Sequence, residues 1–98
     1  MKLGGNIELL GFDELETSEL IVLKKIIGNY ARKFSDALGE DYKKLTLHLK
    51  KVHGAKSHKY EINATLEGKK TYKSEVTEVN LFVCIADVFK KIESQVIK

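Results

Sequence analysis

Three histidines, His48, His53 and His58, recur at five-residue steps, and one cysteine, Cys84, lies far from them in the chain. Imidazole and thiolate are the side chains that ligate zinc or act as base and nucleophile, so they are the first candidates for chemistry. A step of five puts His48 in the middle of an alternating segment and His53 in a turn, so the rings need not converge, and zinc asks for about four ligands. The histidines fit surface positions, where they would offer protonatable groups to a phosphate. Cys84 falls in the first turns of a helix, where the amide dipole lowers a thiol pKa. With no histidine near it in sequence, it fits better as a small packing residue. Gly4-Gly5 precedes a strand instead of following one, and neither a Walker A nor a G-x-G-x-x-G pattern occurs. The carboxylates are scattered, with no pair that forms an acid/base couple. The chain is therefore expected to be no enzyme and to need no metal, cofactor or small-molecule substrate.

What the chain does concentrate is positive charge. Residues 1–42 hold five Lys and Arg against eight Asp and Glu, a balance of −3, and residues 43–98 hold twelve against six, a balance of +6. Such asymmetry suggests a face for an anionic partner, against the plainer alternative of a lysine-rich solvated surface. Candidate contacts are Lys24, Lys25, Arg32 and Lys33 in a first helix, and Lys50, Lys51, Lys56 and Lys59 around a first hairpin. Lys69, Lys70 and Lys73 mark a second hairpin, and Lys90, Lys91 and Lys98 a last helix. Lysine meets phosphate as a point charge and reads no bases. With one arginine and no exposed aromatic pair, the expected mode is salt-sensitive, backbone- and shape-directed binding of structured RNA.

Hydrophobic periodicity shows what must position these groups. Asn6 to Phe12 reads as a short strand with Ile7 and Leu9 on one face. Asp13 to Ser18 is polar, with Thr17 or Ser18 as helix cap. From Glu19 to about Leu38, Leu20, Leu23, Ile27, Tyr30, Ala31, Phe34 and Leu38 make a helical stripe, opposite Lys25, Asn29, Arg32, Lys33 and Asp36. Gly39 is placed to end that helix in a left-handed conformation. The period then becomes two: Leu45, Leu47 and Leu49, a turn over Val52–Ser57, then Tyr60, Ile62, Ala64 and Leu66, a tight turn over Glu67–Lys70, then Tyr72, Ser74 and Val76. Asn80 caps a last helix whose expected stripe is Phe82, Ile85, Phe89, Ile92 and Val96.

The order β-α-β-β-β-α makes the first two strands parallel through a right-handed crossover and the others antiparallel. Each strand has one apolar face, so both helices should share it. The expected fold is α+β, a four-stranded mixed sheet with two helices on one face, like a double-stranded-RNA-binding domain. The other face would carry Thr46, His48, Lys50, Lys59, Glu61, Asn63, Thr65 and Lys73. A composition of 43% hydrophobic and 32% charged residues, with no proline, supports one modest core and a single domain over 1–98. The first residues do not form a signal peptide and no apolar run approaches a bilayer span, so a cytoplasmic protein, monomeric by default, is expected. A lone cysteine fits a reducing compartment.

Two RNA-binding modules share features with this order. The KH domain needs a GXXG loop, which is missing. The double-stranded-RNA-binding domain places a lysine cluster at the start of its last helix, and here that start is Asn80-Leu81-Phe82-Val83-Cys84. A closer resemblance is to the ribosome hibernation-promoting factor family, whose members are also called ribosome-associated inhibitors. Lys59-Tyr60-Glu61-Ile62-Asn63-Ala64-Thr65-Leu66 resembles that family's K-Y-E-V-x-I-T-L strand. Asn80-Leu81-Phe82-Val83-Cys84-Ile85 resembles its D-M-Y-A-A-I helix opening, and Lys91-Ile92-Glu93-Ser94-Gln95-Val96 its K-L-E-R-Q-L. Ser94 and Ile97 stand where the family often has basic residues, and Ala86 replaces a frequent aspartate, as in a short form or divergent relative. The resemblance implies a cytoplasmic protein that lies in the mRNA and tRNA channel of the small ribosomal subunit and blocks translation under stress. It places the RNA contacts at Lys25, Arg32, Lys33, Lys90, Lys91 and Lys98. The alternative is a protein-interaction or assembly module on the same fold without RNA.

Overall fold

Period-two alternation after Tyr42 demands strands, and the computed structural model, which describes residues 2–4, 6–53 and 58–96, contains them. The elements are β1 (Lys2–Leu3), β2 (Ile7–Leu10), α1 (Thr17–Leu38), β3 (Lys44–His53), β4 (His58–Glu67), β5 (Thr71–Glu78) and α2 (Leu81–Val96). They form one sheet in the order β1-β2-β3-β4-β5. β2 and β3 pair in parallel across the α1 crossover, and β3–β4 and β4–β5 are antiparallel. The expected α+β fold with a four-stranded mixed sheet is present. To it is added β1, which pairs antiparallel with Ile7 and Glu8. Two residues are too few to show a period. Val52 and His53, expected in the turn over Val52–Ser57, belong to β3. Gly54 and Lys56 lie outside the described residues, as do Ile97 and Lys98.

One face of the sheet carries the core. Leu9, Leu45, Leu47, Ile62, Ala64 and Leu66 are fully buried there beneath Leu23, Ile27 and Phe34 of α1 and Ile85, Phe89 and Ile92 of α2. Tyr30 stacks on Phe89 with ring centroids 4.6 Å apart and planes 11° from parallel. Phe34 packs at a tilt 6.0 Å from each of them. Lys33 of α1 forms an ion pair with Glu93 of α2. Residue numbers rise together along both helices at these contacts, so α1 and α2 run in the same direction.

One expectation for α2 is corrected. Phe82 is 38% exposed, while Leu81, Cys84 and Val88 are buried. Leu81 to Ala86 is apolar without a break, so the sequence leaves the helical phase undetermined. The Asn80 cap sets it: its Oδ1 accepts from the amides of Phe82 at 2.9 Å and Val83 at 3.1 Å.

The link from β2 to α1 also differs from expectation. β2 ends at Leu10, and Phe12 falls in a 3-10 turn (Phe12–Glu14) that buries its ring completely. The helix cap is Glu16, not Thr17 or Ser18. Glu19 Oε1 accepts from the Glu16 amide at 3.3 Å, and Leu15 and Leu20 on either side both pack on the core. That apolar pair is a hydrophobic staple, which moves the helix start ahead of the polar cap candidates. Gly39 does end α1 with positive φ, at 60°.

Gly11 makes the reversal possible. Its φ is 80°, and a Cβ built on it would stand 2.2 Å from the Leu49 carbonyl oxygen. Only glycine lets the chain pass that close to β3 while left-handed. Gly11→Ala should therefore cost more than about 3 kcal/mol, from positive φ and a backbone collision together. Gly28 lies inside α1, where an added Cβ meets nothing within 4 Å. Gly28→Ala should stabilise by up to about 1 kcal/mol. Urea unfolding measures both, and a wild-type midpoint for Gly11→Ala contradicts the close approach.

Candidate nucleic-acid interface

The open sheet face intersperses charges of both signs. Lys44, Lys50, Lys59 and Lys73 share it with Glu8, Glu61, Glu67 and Glu75. Lys50 lies directly opposite Glu61, and Lys44 directly opposite Glu67. Lys44 Nζ stands 2.7 Å from Glu8 Oε1. That carboxylate, through hydrogen bond and charge, holds the Lys44 ammonium pKa above its ordinary value. Lysine and glutamate therefore alternate over this face, which lowers its attraction for a polyanion, and Lys44–Glu8 is the ion pair formed there among the described residues. Register thus sets a glutamate against Lys44 and Lys50 among the lysines of residues 43–73.

The helix layer is different. Lys24, Lys25 and Arg32 on α1 and Lys90 on α2 are exposed, and among the described residues none has a carboxylate at ion-pair distance. Lys25 and Arg32 are seven residues apart, about two turns, and so share a face. Arg32 also borders a shallow groove of about 300 Å³ between α1 and the β1–β2 edge, lined by Gly28, Ala31, Ser35 and Tyr42. Burial raises the Tyr42 phenol pKa.

The other candidate contacts do not all join this surface. Glu93 raises the Lys33 ammonium pKa by hydrogen bond and charge. Lys91 is turned toward the sheet edge, donating to the Glu75 carbonyl at 3.3 Å. Beside it Gln95 Nε2 donates to the Lys73 carbonyl at 2.8 Å. Both side chains thereby occupy outward carbonyls of the edge strand β5. Lys50 and Lys51 are consecutive in β3 and point to opposite faces. Lys98 lies outside the described residues.

The histidines are divided. His48 is on the open face opposite Asn63, while His58 follows the alternation of Tyr60 and Ile62 on the other side. Among the described residues no three His, Cys, Asp or Glu side chains gather as metal ligands. No helix among them is long and apolar enough to cross a membrane. Sequence reasoning missed a group of exposed apolar side chains, Ile21 and Val22 in α1, Phe82 and Val83 in α2, and Val79 before it. Its signal was present: Leu20-Ile21-Val22-Leu23 and Leu81-Phe82-Val83 exceed what one buried stripe can use.

Compared with known proteins, the chain matches no family model and no curated protein.

Cys84 is fully buried, its thiol donating to the carbonyls of Val76 at 3.2 Å and Tyr60 at 3.4 Å. Burial pushes its pKa up to about 11, against the lowering that a helix N-terminus alone would give. At pH 8 its alkylation should be at least roughly 100-fold slower in the native protein than in denaturant. Iodoacetamide labelling followed by mass spectrometry checks this, and comparable rates contradict the packing role.

Proposed function

We propose that this chain is a non-enzymatic RNA-binding domain that grips the phosphate backbone of structured RNA with the outer face of its helix layer. One observation carries the proposal: the two faces differ in charge compensation. On the open sheet face Lys44 is ion-paired with Glu8 and Lys50 stands opposite Glu61, with four lysines and four glutamates interspersed on β2 to β5, whereas Lys24, Lys25, Arg32 and Lys90 have no carboxylate at ion-pair distance among the described residues. Phosphate oxygens would supply the missing counter-charge, with Arg32 able to bond two at once. Lys33 would contribute if phosphate competes with Glu93, and Lys91 if it leaves the Glu75 carbonyl.

The target that best fits is small-subunit ribosomal RNA in the cytoplasm, with translation inhibition or protection of idle ribosomes under stress as the outcome. Its support is the resemblance of residues 59–66, 80–85 and 91–96 to hibernation-promoting factors, segments that fall on β4 and the two ends of α2. A second reading, a protein-interaction module, has its own observation in the exposed apolar side chains at the helix N-termini.

Co-sedimentation with small ribosomal subunits across a salt series tests the RNA proposal. Binding at low salt should fall as salt rises. Lys25→Gln and Arg32→Gln should each weaken it and flatten the log–log salt slope by roughly 0.7 to 0.9. Lys44→Gln, on the open sheet face, should leave it unchanged. No co-sedimentation at low salt contradicts the proposal.

A further inference from the structure

β5 ends the sheet, so its outer side is a strand edge. Along an antiparallel strand, successive residues turn their amide and carbonyl to opposite neighbours. In β5 the carbonyls of Lys73 and Glu75 face outward, because Gln95 and Lys91 of α2 reach them there. Thr71, Lys73, Glu75 and Thr77 therefore present their main-chain groups at the edge. The two α2 side chains guard carbonyls only. The outward amides of Lys73 and Glu75 have no acceptor among the described residues. An edge of this kind is a template for another strand, and side chains laid across it restrain that pairing.

The sequence of β5 indicates which strand fits. Outward residues must meet outward residues, which restricts the antiparallel registers. The register centred on Ser74 sets Lys73 opposite Glu75 of a second copy, twice, on the open face of the sheet. It also sets Thr71 opposite Thr77, and on the core side Tyr72 opposite Val76. Opposite charges, and an aromatic against a β-branched residue, are favourable cross-strand pairs. A shift of two residues either way sets Lys73 against Lys73 or Glu75 against Glu75. β5 thus complements itself about a two-fold axis through Ser74.

The helix layer leaves room for this approach. Gln95 lies at the level of Lys73, and Lys91 at the level of Glu75. The axis at Ser74 falls between those levels. The two copies of α2 therefore meet only near their C-terminal ends, with Lys91 beside Gln95 of the second copy.

We propose that β5 is a self-pairing edge guarded by α2. When Lys91 and Gln95 turn away from the two carbonyls, β5 of a second copy adds antiparallel, with Lys73 opposite Glu75. The expected monomer is the guarded state. The inference does not rest on RNA binding.

Sedimentation equilibrium of the full chain, free of nucleic acid and over a concentration series, tests the proposal. The wild type should stay near 11.1 kDa. The double variant Lys91→Ala/Gln95→Ala should move toward twice that mass and associate ~10-fold or more tightly. Lys91 and Gln95 are exposed, so circular dichroism should be unchanged. In that unguarded background, Lys73→Glu and Glu75→Lys should each weaken association, and the two together should restore it. An unguarded variant that is monomeric at every concentration overturns the inference, as does a wild type that associates equally well. Association indifferent to either single swap, or not restored by both together, overturns the Ser74-centred register. An unguarded variant that stays monomeric beside a wild type that binds ribosomal subunits defeats only the edge. Self-pairing by a chain that binds no subunits defeats only the RNA proposal.

Discussion

Phe89 packs against Tyr30 and Phe34, and the arrangement of the helix layer depends on that contact. Aromatic pairs contribute about 0.5–1.5 kcal/mol beyond the apolar area they bury, and they also fix relative position. Here they hold α1 and α2 parallel at a set level on one face of the sheet. The level puts Lys33 against Glu93 about one turn beyond that stack, and it brings the apolar ends of both helices side by side. It also leaves Lys25 and Arg32 on an outer surface of the same layer. If the aromatic contact slipped by one turn, the ion pair, the level of those apolar ends and the spacing of the free cations would all change together.

The sheet imposes the complementary constraint. Its open face is solvated and charged, yet register sets Lys44 and Lys50 against glutamates and Lys44 is ion-paired with Glu8, so charges of both signs are interspersed on it. Its edges are also managed. Lys91 and Gln95 occupy outward carbonyls of β5, which discourages pairing with another strand. At the opposite edge β1 covers the start of β2. The cationic character of α2 is partly spent on this edge, since Lys91 bonds backbone where phosphate was expected. The free positive charge of the fold accordingly shifts toward α1, although α1 lies in the acidic half of the sequence.

Much of the architecture was legible in local pattern. The alternation of Leu45, Leu47 and Leu49 with Thr46, His48 and Lys50 gave β3 its two faces, and Asn80 marked the start of α2. Features decided by distant residues were not legible. The Glu16 cap follows from Leu15 and Leu20 meeting the core. The exposure of Phe82 follows from the phase that Asn80 imposes on an unbroken apolar run. β1 has two residues and no period at all. The mixing of charges on the open sheet face needs the β3–β4 and β4–β5 registers, and the engagement of Lys33 and Lys91 needs Glu93 and the Glu75 carbonyl. The candidate site was therefore legible as a set of cations, while their division into free and committed members was a tertiary property.

The central claim is that the helix layer, and not the open sheet face, meets the RNA. Amide chemical-shift mapping during titration with a structured fragment of small-subunit ribosomal RNA tests it most directly. The account predicts perturbations concentrated at Lys24, Lys25, Arg32 and Lys90, diminishing with added salt, with Thr46, His48, Asn63 and Thr65 unmoved. Perturbations centred on those four sheet residues, with α1 silent, would contradict it.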